Sequence, residues 1–160
     1  MTTTVARAWH VLAEVMDPEI PVLSVLELGI VRDVVETGAD SVEVSVTPTY
    51  SGCPATEVIV ADIRTALSAA YREVEVRVQL SPPWTTDWIS DTGRAKLRGY
   101  GIAPPNGRAL LPLVADDQPA ACPQCGSRDI EQLAGFGSTP CKALWRCRSC
   151  REPFDYFKVH

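Results

Sequence analysis

The sequence predicts an α+β fold, a small mixed β-sheet covered by helices and followed by a small cysteine-clamped C-terminal ribbon. Three observations carry that expectation. Val42, Val44 and Val46 alternate with Ser41, Glu43, Ser45 and Thr47, the period of a strand with one buried face. Beyond them Ile59, Ile63, Ala66, Leu67 and Ala70 recur at helical spacing. Finally, two Cys-x-x-Cys pairs, Cys122/Cys125 and Cys147/Cys150, stand on either side of residues 126–146.

Taken in order, the chain opens on a helix that Thr4 can cap. Its apolar face is Val5, Ala8, Trp9, Leu12 and Val15, and Asp17-Pro18 ends it. His10 lies within this helix and is assigned no role. Asp17-Pro18-Glu19-Ile20-Pro21 is a rigid acidic connector, because each proline fixes its own backbone and restricts its predecessor. The carboxylates of Asp17 and Glu19 either line a site or cap and solvate a turn. A strand over residues 28–36 and the turn Thr37-Gly38-Ala39-Asp40 lead into the Val42 strand, and the two strands should pair as a hairpin.

The turn Thr49-Tyr50-Ser51-Gly52-Cys53-Pro54 joins that strand to the central helix, with Pro54 suited to a first helical position. Cys53 therefore stands at or beside the N-cap. Unpaired N–H groups and the helix dipole there favour an anion and lower a thiol pKa. Such a thiolate can bind metal or attack an electrophile; the alternative is a buried structural cysteine.

Val74, Val76, Val78 and Leu80 alternate as a third strand. A short helix to about Arg98 follows, with Thr86 or Asp87 as its cap and Gly99 as its stop. Trp84 and Trp88 are either interface anchors or core residues. The expected domains are residues 1–105, a linker over 106–119 whose apolar run 109–114 adds an edge strand or docks on a partner, and a ribbon over 120–160.

The cysteine spacing suits a four-cysteine zinc ribbon with strands near Ile130–Leu133 and Ala143–Arg146. About 40 residues rarely bury enough core to fold alone, and structural zinc supplies the deficit. Four thiolates close the coordination sphere, so Cys122, Cys125, Cys147 and Cys150 hold an architectural ion. Iron is the chemical alternative in the same geometry. Cys141 lies outside the quartet, in a glycine-rich loop beside Lys142, and reads as a reactive thiol, a further ligand or a packed residue.

A net charge of -5 argues against a nucleic-acid or anionic-membrane partner. No long apolar run occurs and Met1–Thr4 lack signal-peptide features, so the expected setting is the cytoplasm. No nucleotide loop, nucleophile motif or di-iron Glu-x-x-His pair appears in the sequence.

At Asp17-Pro18-Glu19, Leu28-Gly29-Ile30-Val31 and above all Thr49-Tyr50-Ser51-Gly52-Cys53-Pro54, the first part resembles the small domain of iron-sulfur cluster assembly factors of the SufT and MIP type. Pro83-Trp84-Thr85-Thr86-Asp87-Trp88, Gly101-Ile102-Ala103-Pro104-Pro105, Phe136-Gly137-Ser138-Thr139 and Glu152-Pro153-Phe154-Asp155-Tyr156-Phe157 extend the likeness over almost the full chain. There it resembles the PaaD (PaaJ) family, accessory subunits of the phenylacetyl-CoA epoxidase system. The resemblance implies a non-catalytic role in phenylacetate degradation beside oxygenase and reductase subunits, assisting iron or iron-sulfur maturation; homo-oligomers are compatible with it. Carried over as a transient iron or cluster site are Cys53, with Asp17, Glu19, Thr49 and Ser51 as neighbours; Cys141 joins them as a possible further thiol. A structural adaptor of the epoxidase complex is the alternative.

Overall fold

The computed structural model describes residues 3–106 and 117–160, and the chain divides into two compact units, Met1–Trp84 and Thr85–His160. The expected apolar run 109–114, with most of the expected linker, lies outside the described residues.

In the first unit α1 spans Thr3–Leu12 and buries Ala8 and Leu12. It begins at Thr3 rather than after a Thr4 cap, and it stops before Val15, which is buried from the following turn. The Thr4 carbonyl instead accepts a 2.6 Å hydrogen bond from the Tyr71 hydroxyl, tying the helix start to the end of the central helix. Strands β1 (Val31–Gly38) and β2 (Ser41–Val46) form the expected antiparallel hairpin, with Asp40 at φ 57 in its turn. Residues 28–29, expected in β1, are a turn: the Gly29 N–H bonds the Leu26 carbonyl, and Gly29 has φ 76.

Helix α2 (Ala55–Ser68) buries Ala55, Ile59, Ile63 and Leu67, one residue per turn along a single stripe. It crosses over to β3 (Glu73–Val78), which pairs parallel to β2 with Val42, Val44 and Val46 opposite Val74, Val76 and Val78. The sheet order is β1-β2-β3, mixed as expected. On its core face Val42, Val44 and Val46 are at most 1% exposed, α1 packs against β1 and α2 against β3, and the loop residues Leu23, Val25 and Leu28 are buried as well.

The second compact unit starts at Thr85. A 3-10 turn, Thr86–Trp88, is capped by Thr85, whose Oγ1 accepts from the Asp87 N–H. Helix α3 (Asp91–Gly99) is capped by Ser90 through the Gly93 N–H at 2.9 Å, so neither Thr86 nor Asp87 is its cap. Strand β4 (Ile102–Ala103) then pairs parallel to β7 (Pro153–Phe157), which places residues 85–106 with the ribbon. Arg94 fastens the same segment, donating to the carbonyls of Thr86 and Pro105.

Strands β5 (Ile130–Ala134) and β6 (Lys142–Cys147) complete a sheet of order β4-β7-β6-β5. Its core is Ala103, Cys122, Ala143, Trp145, Cys147, Phe154 and Tyr156. Trp145 and Tyr156 meet edge to face at 6.3 Å, a favoured aromatic geometry. Among the described residues no helix is long and apolar enough to cross a membrane.

Candidate metal centre and the Cys53 turn

Two knuckles build the metal centre. Cys122 to Cys125 turn tightly because the Gly126 N–H bonds the Cys122 carbonyl and the Cys122 N–H bonds the Ser127 carbonyl. Cys147 to Cys150 turn in the same way, closed by the Cys147 N–H to the Glu152 carbonyl. The β5-β6 pairing sets Ile130 opposite Cys147, which brings the knuckles face to face.

All four sulfur atoms lie within 4.8 Å of one another, with Cys125 to Cys147 at 3.5 Å and Cys122 to Cys150 at 3.8 Å. A tetrahedral zinc with bonds of about 2.3 Å requires sulfur atoms about 3.8 Å apart, so the quartet fits it. Backbone N–H groups also point at sulfur, Gln124 to Cys122 at 3.4 Å and Cys150 to Cys147 at 3.5 Å. Such donors favour thiolate.

The Cys150 N–H is the largest influence on the Cys147 thiol, lowering it to about 6 against the opposing effect of burial. The Glu152 N–H favours the Cys150 thiolate, but burial and the neighbouring thiols push Cys150 up to about 12. A divalent cation held by the quartet would displace the remaining thiol protons. Cys122, Cys125, Cys147 and Cys150 would hold zinc as an architectural ion with no open position.

Cys141 is not a member of the quartet. It is 3% exposed, and its sulfur lies 3.0 Å from the Thr139 hydroxyl. Lys142 does not simply flank it in solvent: the ammonium is buried and faces Asp155 at 3.7 Å on β7.

In the first unit, the Tyr50–Cys53 segment is a turn closed by the Cys53 N–H to the Tyr50 carbonyl at 3.2 Å, with Gly52 at φ 81. That third position of a type II turn needs the left-handed backbone glycine supplies. Pro54 is the N-cap of α2, so Cys53 sits one residue before the cap, and its carbonyl accepts the Thr56 N–H. Cys53 is 8% exposed, between exposed Gly52 and exposed Pro54. Thr49 is half-buried and Ser51 exposed on the same turn.

Asp17 is buried, and its Oδ1 accepts the N–H groups of Glu19 and Ile20 at 2.8 and 2.7 Å, organising the connector as a turn cap. Glu19 is half-buried beside it. Cys53 and Cys141 belong to different units. Sequence reasoning passes over Thr47, which is 1% exposed with an Oγ1 that has no hydrogen-bond partner among the described residues. Strand alternation puts Thr47 outward, but β2 ends at Val46 and the rule ends with it.

A model described as the PaaD zinc beta ribbon domain matches residues 109–158, and one described as iron-sulfur cluster assembly protein matches residues 6–80. Over 155 residues the chain is 48% identical to an Escherichia coli (strain K12) protein named as one subunit of a "Putative 1,2-phenylacetyl-CoA epoxidase", covering 96% of this chain and 92% of that one. The chain belongs to the PaaD family.

This PaaD-family chain is also 35% identical over 81 residues to the Fe-S protein maturation auxiliary factor YitW of Bacillus subtilis (strain 168), covering 49% of this chain and 78% of that one. Among solved structures, a domain of unknown function, DUF59, from Bacillus anthracis is similar at a TM-score of 0.56 and 30% identity. That match covers 59% of this chain and 91% of the other.

Proposed function

We propose that this chain is an accessory, non-catalytic subunit of the phenylacetyl-CoA 1,2-epoxidase system of aerobic phenylacetate degradation, assisting iron or iron-sulfur maturation of its oxygenase or reductase in the cytoplasm. The observation that carries the reading is the near full-length likeness to the Escherichia coli epoxidase protein, in a chain whose first part matches an iron-sulfur cluster assembly model. In this reading the quartet holds zinc for architecture. Cys53 is the thiol that receives iron or a cluster as cargo and surrenders it to the client, and Thr49, Ser51, Asp17, Glu19 and Cys141 are the further candidates for that handling.

The test is Cys53→Ser. The variant is expected to fold and keep its ribbon metal, while reductase and oxygenase from cells making it contain less iron than those made with the unaltered chain. Fully metallated partners would remove Cys53 from the mechanism.

The 8% exposure of Cys53 favours a second reading, a structural adaptor of the epoxidase complex in which this thiol only packs. There Cys53→Ala is silent, whereas loss of the ribbon quartet abolishes co-purification with the other subunits.

A further inference from the structure

The sheet of the first unit ends on two edges of different character. β1 is irregular: its pairing with β2 shifts register between Val31 and Asp33 and again between Glu36 and Gly38. Such irregularities deter an additional strand. β3 carries none. Glu73–Val78 pair with Ser41–Val46 in unbroken register, and among the described residues β3 has no neighbour on its other side. This regular edge is also open, with the Arg77 side chain 60% exposed and Val78 44% exposed.

We propose that β3 is a dimerisation edge, pairing antiparallel with β3 of a second copy of this chain about Val76. The backbone directions allow it. The Gln79 N–H donates to the Val46 carbonyl, so alternate residues Glu75 and Arg77 turn their backbone groups toward β2. Val74, Val76 and Val78 turn theirs outward. A two-fold axis at Val76 sets Val76 against its own copy and Val74 against the copy's Val78, all as hydrogen-bonded pairs. Glu75 then meets the copy's Arg77 as a non-hydrogen-bonded pair, the arrangement in which side chains lie closest.

Charge selects this register over its neighbours. Centring the pair on Glu75 would oppose two carboxylates, and centring it on Arg77 would oppose two guanidinium groups. Within one chain Glu75 faces Glu43 across the β2-β3 pairing, and Arg77 bonds Glu43 at 2.8 Å. A second copy brings another guanidinium to that pair of carboxylates. The half-exposed valines of the two copies also come together on the helix-covered side, because an axis normal to the sheet keeps both core faces on one side.

Sedimentation of the full chain tests the proposal over about a hundredfold range of concentration. The unaltered chain is expected to dimerise reversibly. Glu75→Arg alone or Arg77→Glu alone weakens the dimer at least about tenfold, and the double exchange restores it to within about threefold. Circular dichroism checks that each variant is folded. In the dimer the Val76 amide exchanges more slowly as concentration rises. A chain that stays monomeric throughout overturns the proposal and leaves the edge to a foreign strand. So does a dimer indifferent to both single changes, or a folded double exchange that remains monomeric.

Discussion

Gly126 and Arg151 occupy the same place in the two knuckles, each directly after the second cysteine, with φ 74 and 67. Glycine adopts that left-handed backbone freely, whereas a side chain at Arg151 costs about 1–2 kcal/mol.

Arg151→Gly is therefore expected to stabilise the second unit by about 0.5–1 kcal/mol after the extra unfolded-state entropy of glycine is deducted. Chemical denaturation of metal-loaded protein should show a higher midpoint at unchanged metal content. A lower midpoint would mean that the exposed guanidinium contributes more than the backbone strain costs.

The quartet predicts one tightly held metal per chain. Cys125→Ser, or a strong chelator, should reduce that content to near zero and unfold the β5-β7 strands, since structural zinc contributes on the order of 10–16 kcal/mol in small fingers. Cys141→Ser should retain the metal, because Cys141 stands outside the quartet. Elemental analysis of both variants separates the roles, and metal loss in Cys141→Ser would contradict the assignment.

What the sequence discloses follows the reach of each physical signal. The Val42, Val44, Val46 alternation and the Ile59, Ile63, Leu67 stripe are local periodicities maintained over whole elements, so β2 and α2 are legible. The quartet is legible because metal chemistry restricts cysteine spacing. Strand β4 is not: Ile102 and Ala103 are too few to show a period, and only their pairing with Asp155 and Tyr156 makes them a strand. The unit boundary at Trp84 is hidden for the same reason. In the sequence Lys142 is only the neighbour of Cys141, because Asp155, the carboxylate its ammonium faces, is distant along the chain. For Cys53, helix-start chemistry is readable from Gly52-Cys53-Pro54, but its burial depends on how the turn packs.

Trp84 is a core residue. It is 5% exposed, and its indole N–H donates to the Leu28 carbonyl at 2.9 Å. Trp84→Phe leaves that buried carbonyl unsatisfied and a small void, so a loss of about 1–3 kcal/mol is expected in urea unfolding of the first unit. Binding to partner subunits by the folded variant should be unchanged. Weakened binding at unchanged stability would restore the interface-anchor reading.

Glu131 on β5 ties that strand to Arg146 on β6 and to Arg148 just beyond it. Arg146 and then Arg148 donate to its two carboxylate oxygens and hold its pKa below the ordinary 4.5. Because the folded pKa is the lower one, the contribution to stability is present above about 4.5 and is lost as pH falls through the folded value. The informative quantity is the stability difference between the unaltered chain and Glu131→Gln, compared only under conditions in which both keep their metal. That difference should be greatest near neutral pH, shrink below about 4.5, and shrink also in high salt, because both arginines are at least half exposed. A difference that does not shrink in high salt at neutral pH, where the metal stays bound, would show that the carboxylate charge is not what joins the strands.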